Sequence, residues 1–273
     1  MVANHPFIPD IGVVRCAERI IAEYTRSRVE IIAARPGNPR DAQVRRYGEA
    51  IALRAPPFGE GFFNRAYGFN DENLDDACDA IEWYAEKDVP AVFEVLPGVP
   101  SDELMALLAR RGYRQVGFHA TFAGPAELPR KPSPGVEVRP VATEAELVWF
   151  ADMYQVGWAR TGRIPVEPWL TAPGWSLYLG LCDSEPAGAA VLYVWNGIGY
   201  LADSAVDPKW RRRGVHRALL DARCADAVAL GCTEIYSSAD YLSASSRNML
   251  RKGLSLLMTK SLLRASVQSD QAS

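Results

Sequence analysis

The clearest periodic pattern in this sequence predicts a helix from Gly214 to Leu230. Apolar side chains recur there at helical spacing, and charged side chains such as Asp221 lie off the apolar stripe. The stripe comprises Val215, Ala218, Leu219, Ala222, Ala225 and Ala229. We therefore expect an amphipathic helix that packs on one face of a sheet.

Shorter apolar runs around this helix predict strands. These runs lie at 136–141, 175–181, 189–194 and 198–206. Asn196-Gly197 between two of them is typical of a hairpin turn. Thr143 and Glu146 have the spacing of a capping box, which predicts a second helix ending near Val156. The order of these elements predicts a mixed, mostly antiparallel sheet flanked by helices, an α/β (α+β) fold.

The chain divides into two halves with similar endings. Four prolines and two glycines between 124 and 136 exclude a continuous helix or central strand there. We therefore expect a linker there, with domains at 1–130 and 136–273. Each half ends with a helix, a glycine after two basic residues (Gly112 and Gly253) and a strand. This pattern indicates a duplicated α/β unit, although two unrelated helix–glycine–strand endings would look the same.

Composition narrows the class of protein. Of 273 residues, 48% are hydrophobic and 23% charged, which suits two packed cores and excludes a disordered, collagen-like or disulfide-framework chain. Five cysteines without a C-x-x-C pair indicate reduced thiols and no metal site. No apolar run approaches the ~20 residues of a membrane span, and the N-terminus lacks signal-peptide features. We expect a cytoplasmic protein with no membrane partner.

A basic turn precedes the helix at 214–230. Five of the nine residues from 209 to 217 are Lys or Arg. Cations oppose the dipole at a helix N-terminus, so a bound anion there would offset them. Gly214 allows close approach of a ligand, and arginines bind phosphate oxygens in pairs. The turn therefore predicts a pyrophosphate site, although a solvated basic helix start would have the same composition.

The same residues resemble a known motif. Val206-x-Pro-x-x-Arg211-x-Arg213-Gly214-Val215, followed by Ala218-Leu219-Leu220, is similar to the acetyl-CoA-binding motif Q/R-x-x-G-x-G/A of the GNAT superfamily of N-acetyltransferases. The element order from 136 to 265 is also similar to the GNAT fold. The resemblance implies two tandem GNAT-like domains. The first is degenerate, because its corresponding turn, 70–76, has four carboxylates and no glycine.

This resemblance implies acetyl-CoA as co-substrate and assigns residues to it. Its pyrophosphate would be held by Arg211, Arg212, Arg213, Gly214, Val215, His216 and Arg217. Val206 would end the strand that pairs with the pantetheine arm. A backbone N–H near Ser204 would polarise the thioester carbonyl. His216 replaces the Gly or Ala of the motif, so its side chain would crowd a phosphate or, if protonated, donate to it.

Tyr200 and Asp203 are the candidate catalytic residues. Some family members have a Glu base near the position of Tyr200, where a tyrosine could relay a proton through water. Asp203 would point to the opposite face of a regular strand, unless a bulge changes the alternation. Many relatives have a Tyr that protonates the leaving thiolate at the position of Met249. The resemblance implies no metal.

The acceptor site has two alternative interpretations. Four tryptophans could line an aromatic acceptor pocket, or they could pack in the core. They are Trp149, Trp158, Trp169 and Trp175. Arg160 and Arg163 nearby could bind an acidic acceptor or remain solvated.

The predicted function is acetyl-CoA-dependent N-acetyl transfer directly to the amine of a small molecule, by a monomer or homodimer. The alternative is a non-catalytic CoA-binding sensor or partner-binding protein, which Met249 favours. The net charge of −3 argues against nucleic acid as a partner.

Overall fold

The structure is a computed structural model that describes residues 10–56, 63–127, 135–157 and 165–265. Its α-helices are α1 (Ile11–Ala33), α2 (Leu74–Ala85), α3 (Asp102–Arg110), α4 (Glu144–Gly157), α5 (Val215–Ala229) and α6 (Ala244–Lys252). Its strands are β1 (Gln43–Tyr47), β2 (Ala50–Arg54), β3 (Arg65–Tyr67), β4 (Val92–Val95), β5 (Tyr113–Pro125), β6 (Glu137–Pro140), β7 (Trp175–Cys182), β8 (Glu185–Trp195), β9 (Ile198–Val206), β10 (Glu234–Asp240) and β11 (Ser255–Ala265). Within these ranges no helix combines the length and the apolar character needed to cross a membrane.

The chain forms two compact units. The first contains Met1–Ala120 and Leu257–Ser273, and the second contains Thr121–Leu256. This division differs from the expected domains, 1–130 and 136–273, chiefly at the last strand. β11 pairs antiparallel with β4, with Ser261 opposite Val95, so the end of the chain belongs to the first unit. Apolar alternation predicts which face of a strand is buried, but it does not identify the neighbouring strand.

The first unit contains β1 to β4 as successive neighbours, with β3 and β4 parallel and the other pairs antiparallel. Apolar side chains of α2 and α3, such as Trp83 and Leu104, pack with Phe93 of β4 in one core. Glu94 pairs with two cations, Arg65 and Lys260, and all three of these strand residues are buried. This unit therefore has an apolar core and a separate buried charged cluster.

The second unit has the strand order β10-β9-β8-β7-β6. Of the four neighbouring pairs in this order, β9 and β10 are parallel and the other three are antiparallel. Gly180 and Gly188 lie against Val215 and Leu219 of α5, whereas Trp175 lies on the other face, where α4 packs. α4 and α5 therefore cover opposite faces of a mixed, mostly antiparallel sheet, which confirms the predicted fold class.

Candidate functional site

β9 and β10 separate before either strand ends. Their last paired residues are Tyr200 and Tyr236, yet β9 continues to Val206 and β10 to Asp240. Immediately past the last pair, the Ser237 hydroxyl donates to the Leu201 carbonyl at 2.7 Å. This side-chain hydrogen bond replaces the backbone ladder, and beyond it β9 and β10 are no longer paired in the described part of the chain.

β9 also contains a bulge on its opposite edge. Ala205 lies opposite Ala189 and Ala202 lies opposite Val191, so two residues of β9, 203 and 204, face one residue of β8. Asp203 has a φ of 47°, in the left-handed region. The bulge that the sequence analysis considered is therefore present.

The bulge brings the two candidate catalytic residues to one face of the sheet. Gly199 lies against Ala227 of α5, so the next residue, Tyr200, faces α4. Asp203 also faces α4, because the Tyr154 hydroxyl of that helix donates to its Oδ2 at 3.0 Å. A regular strand would have separated Tyr200 and Asp203. Tyr200 is 7% exposed and Asp203 is half-buried.

Arg223 of α5 lies behind the bulge and is completely buried. Its Nη1 donates to the carbonyl oxygens of Val191 at 3.0 Å and Ala202 at 2.9 Å. Its Nη2 donates to Ser204 Oγ at 2.6 Å, and its Nε donates to the Leu219 carbonyl at 2.9 Å. The Ser204 side chain is therefore directed toward α5.

The turn between β9 and α5 leaves the N-terminus of α5 without a side-chain cap. Gly214 is the N-cap of the helix, with a φ of 86°. A Cβ at this position would meet no other atom within 4 Å. Because glycine has no side chain, it cannot cap the first-turn N–H groups, which begin at Val215. These groups are suited to bind an anion.

The arginines of the turn are exposed and unequally paired. Arg213 lies 3.4 Å from Asp183, and Arg217 lies 3.7 Å from Asp221. Arg211 and Arg212 have no carboxylate partner within the part of the chain that the structure describes. The Arg213–Asp183 pair is exposed and therefore weak, so Arg213 can exchange this partner for a phosphate. Asp221, in contrast, is buried and also pairs with Lys252.

The corresponding turn of the first unit is closed by its own side chains. Asn70 accepts a hydrogen bond from the N–H of Glu72 at 2.7 Å. The N–H of Asn70 donates to Asn73 Oδ1 at 2.8 Å. The carboxylates of this turn would repel a pyrophosphate, and its backbone N–H groups already donate to side chains of the turn. The turn at Gly214 differs in both respects.

His216, at the start of α5, contacts α6. Its Nε2 is hydrogen-bonded to Ser245 Oγ of α6 at 3.2 Å. Burial, reinforced by the charge of Arg223, lowers the pKa of His216 to about 4. The imidazole is therefore neutral at pH 7. The lowered pKa of His216 argues against one of its two expected roles, that of a protonated donor to a phosphate.

The neutral His216 predicts a specific loss of stability in acid. A folded-state pKa of about 4, below the usual 6.5, means that the unfolded chain binds the proton more tightly. The free energy of unfolding should therefore fall as pH decreases from about 6.5 to 4, by up to about 3 kcal/mol from this group. His216→Gln, which can still contact Ser245, should reduce this dependence. Chemical denaturation of both proteins at pH 7 and 4.5 measures it, and equal slopes would contradict the prediction.

Of the tryptophans considered for the acceptor site, Trp169 and Trp175 pack in the core. Trp169 is fully buried and lies tilted against Trp175, with ring centroids 5.2 Å apart. Trp169 also contacts Tyr154, the residue that holds Asp203. Trp149 lies on the exposed side of α4. The other three residues considered for the acceptor, Trp158, Arg160 and Arg163, lie outside the described residues.

Neither a metal-binding cluster nor a proton donor at position 249 is present in the described residues. They contain no group of three or more His, Cys, Asp or Glu residues arranged to hold a metal ion. Met249 is 3% exposed on α6, and its thioether has no proton to donate.

The sequence analysis did not identify Tyr154 and Arg223, both of which contact residues of the bulge.

Comparison with known proteins supports the sequence resemblance over part of the chain. Residues 144–254 match the model of the Acetyltransferase (GNAT) family. No curated protein matches the chain.

Several solved structures share the fold. A GCN5-related N-acetyltransferase from Kribbella flavida is 17% identical, with a TM-score of 0.66 over 91% of this chain and 95% of that one. One from Sphaerobacter thermophilus is 16% identical, with a TM-score of 0.60 over 94% and 92%. A functionally unknown conserved protein from Staphylococcus epidermidis is 12% identical, with a TM-score of 0.59 over 83% and 94%. These likenesses establish the fold.

Proposed function

We propose that this protein is an acetyl-CoA-dependent N-acetyltransferase that transfers the acetyl group directly to the amine of a small molecule. One observation carries the proposal: the uncapped N-terminus of α5 at Gly214 follows, after the turn at 207–213, the strand β9, which separates from β10 before its end. An anion-binding helix end and a free strand edge are what a pyrophosphate with an extended arm requires.

The residues of the turn would hold the pyrophosphate. Backbone N–H groups of residues 211–217 would donate to its oxygens, and the exposed guanidiniums of Arg211 and Arg212 would neutralise its charge. The edge of β9 up to Val206 would pair with the amide-bearing arm. Acetyl-CoA would supply an activated acyl group, and the chain would supply binding, orientation and polarisation of the carbonyl.

The amine would be received on the α4 face of β9. An ammonium must lose a proton before it can attack a carbonyl. Asp203 is the anionic group that the bulge brings to this face, and Tyr154 fixes its orientation. Tyr200, on the same face, would relay the proton through water. We assign no covalent enzyme intermediate.

Met249 supports a second candidate function. The buried thioether at this position removes the usual proton source for the leaving thiolate. A protein that binds acetyl-CoA without turnover, as a sensor or partner-binding module, would tolerate this loss. In an enzyme, water or another side chain would protonate the thiolate.

The two units differ at the turn that would bind the co-substrate. The closed turn at Asn70 and the open turn at Gly214 favour a tandem arrangement in which only the second unit binds the co-substrate. We further propose a cytoplasmic monomer or homodimer.

Two measurements test the proposed function. Calorimetry should detect acetyl-CoA binding, and free-thiol release over a panel of amines should identify at least one acceptor. Binding without thiol release would favour the sensor. Absence of binding would exclude both candidates. Desulfo-CoA is the matched probe, because it retains the pyrophosphate but cannot carry an acetyl group.

A further inference from the structure

The buried guanidinium behind the bulge has no function in the pyrophosphate turn. We propose that Arg223 is a positioning residue that directs the backbone N–H of Asp203 at the thioester carbonyl and strengthens it as a donor. This inference rests on the proposed function, because it assigns a residue to the polarisation of that carbonyl.

The hydrogen bonds of Arg223 define the direction of the Ala202 carbonyl. Nη1 bridges the carbonyl oxygens of Val191 on β8 and Ala202 on β9, which face each other across the two strands. The Ala202 C=O therefore points toward β8. One residue earlier, the Leu201 C=O points the opposite way, because it accepts a hydrogen bond from Ser237 on β10.

The direction of the Asp203 N–H follows from this. The C=O of Ala202 and the N–H of Asp203 belong to one trans peptide, in which the two groups point in opposite directions. The Asp203 N–H is therefore directed toward the side of β10, where pairing with β9 has ended. An extended ligand on the free edge of β9 would meet this N–H at the bulge.

The charge of Arg223 acts on the same peptide. A cation bound to the carbonyl oxygen polarises the amide and makes its N–H a stronger hydrogen-bond donor. The guanidinium is 0% exposed, so little water screens this effect. Contacts with Ser204 Oγ and the Leu219 carbonyl fix the guanidinium in place. Arg223 therefore determines both the direction and the strength of the donor before any ligand binds.

A purely structural role would have a different signature. If Arg223 only anchored α5 to the sheet, its replacement would lower stability without changing the bond order of a bound carbonyl. Asp226→Asn provides the matched control. Asp226 is also on α5, and the hydrogen bond that its carboxylate accepts comes from the Tyr178 hydroxyl of β7, at 2.7 Å, and not from the bulge of β9.

The experiment uses isotope-edited infrared spectroscopy of acetyl-CoA labelled with carbon-13 at the carbonyl, together with calorimetry. We expect the stretching frequency to fall when the full-length protein binds the probe. Arg223→Gln should abolish most of this shift and Arg223→Lys part of it, whereas Asp226→Asn should retain it. Binding of desulfo-CoA should be unchanged in all three variants, because the turn at Gly214 is intact. With an accepted amine, kcat of Arg223→Gln should fall about ten- to a hundredfold with KM for acetyl-CoA retained.

Each outcome is decisive. Full retention of the frequency shift in both Arg223 variants would overturn the positioning role and leave the proposed function intact. If Arg223→Gln does not fold, Arg223→Lys and Ser204→Ala decide. Arg223→Lys keeps the positive charge but loses the planar set of donors, and Ser204→Ala removes one contact that fixes the guanidinium. If wild-type protein does not bind acetyl-CoA, the proposed function fails, and this inference fails with it.

Discussion

Gly214→Glu is expected to abolish acetyl-CoA binding. Gly214 caps α5 at a φ of 86°, with open space where a side chain would project. A glutamate there would place a carboxylate beside the first-turn N–H groups and compete with the pyrophosphate for them. Opposing two like charges at one site costs several kcal/mol, so affinity should fall about a hundredfold or more. Calorimetric titration of the wild type and the variant measures the loss.

Gly231→Glu is the matched control for this prediction. Gly231 follows the other end of α5, with a φ of 79° and equally open space. Both substitutions impose a left-handed conformation on a residue with a side chain, at a cost of about 1–2 kcal/mol each. Thermal unfolding should therefore show similar destabilisation, while only Gly214→Glu loses binding. If the two variants bind acetyl-CoA with equal affinity, the assignment of the pyrophosphate to this turn is wrong.

Local patterns were sufficient to predict the second unit in outline. The helix expected at 214–230 is α5, Val215–Ala229, because an amphipathic stripe and a glycine cap are both encoded within one short segment. The hairpin at Asn196-Gly197 joins β8 to β9 for the same reason. The open turn at Gly214 could likewise be predicted, since its charge and its lack of a capping side chain are properties of adjacent residues.

Features that depend on distant partners could not be predicted. The bulge at Asp203 is defined by the register of β9 against β8. The alternation of side chains along β9 alone did not determine to which face of the sheet Asp203 points. The pairing of β11 with β4 joins segments far apart in sequence. Arg223 did leave a signal: it lies four residues after Leu219, so it is a charge on the apolar side of an amphipathic helix. Such a charge indicates a buried polar partner.

Glu94→Gln is expected to destabilise the first unit severely. The Glu94 side chain is 1% exposed and contacts both Arg65 and Lys260. Burial alone would raise the pKa of Glu94, but the Lys260 ammonium and the Arg65 guanidinium together hold it well below its usual value. Removal of this charge leaves two buried cations without their shared anion, at a cost of about 3–5 kcal/mol. Because domains are stable by only about 5–15 kcal/mol, the melting temperature should fall markedly.

A second variant and a surface control make this prediction specific to the buried cluster. In Glu94→Gln with Lys260→Met, one unpaired cation is removed, so part of the lost stability should return. Glu82→Gln breaks the exposed pair with Arg111 in the same unit, which should cost at most about 1 kcal/mol. Denaturant titration of the three variants compares these costs. If the free energy of unfolding of Glu94→Gln is no lower than that of Glu82→Gln, the prediction is wrong. The charge of Glu94 would then not be needed to stabilise the buried Lys260 of β11.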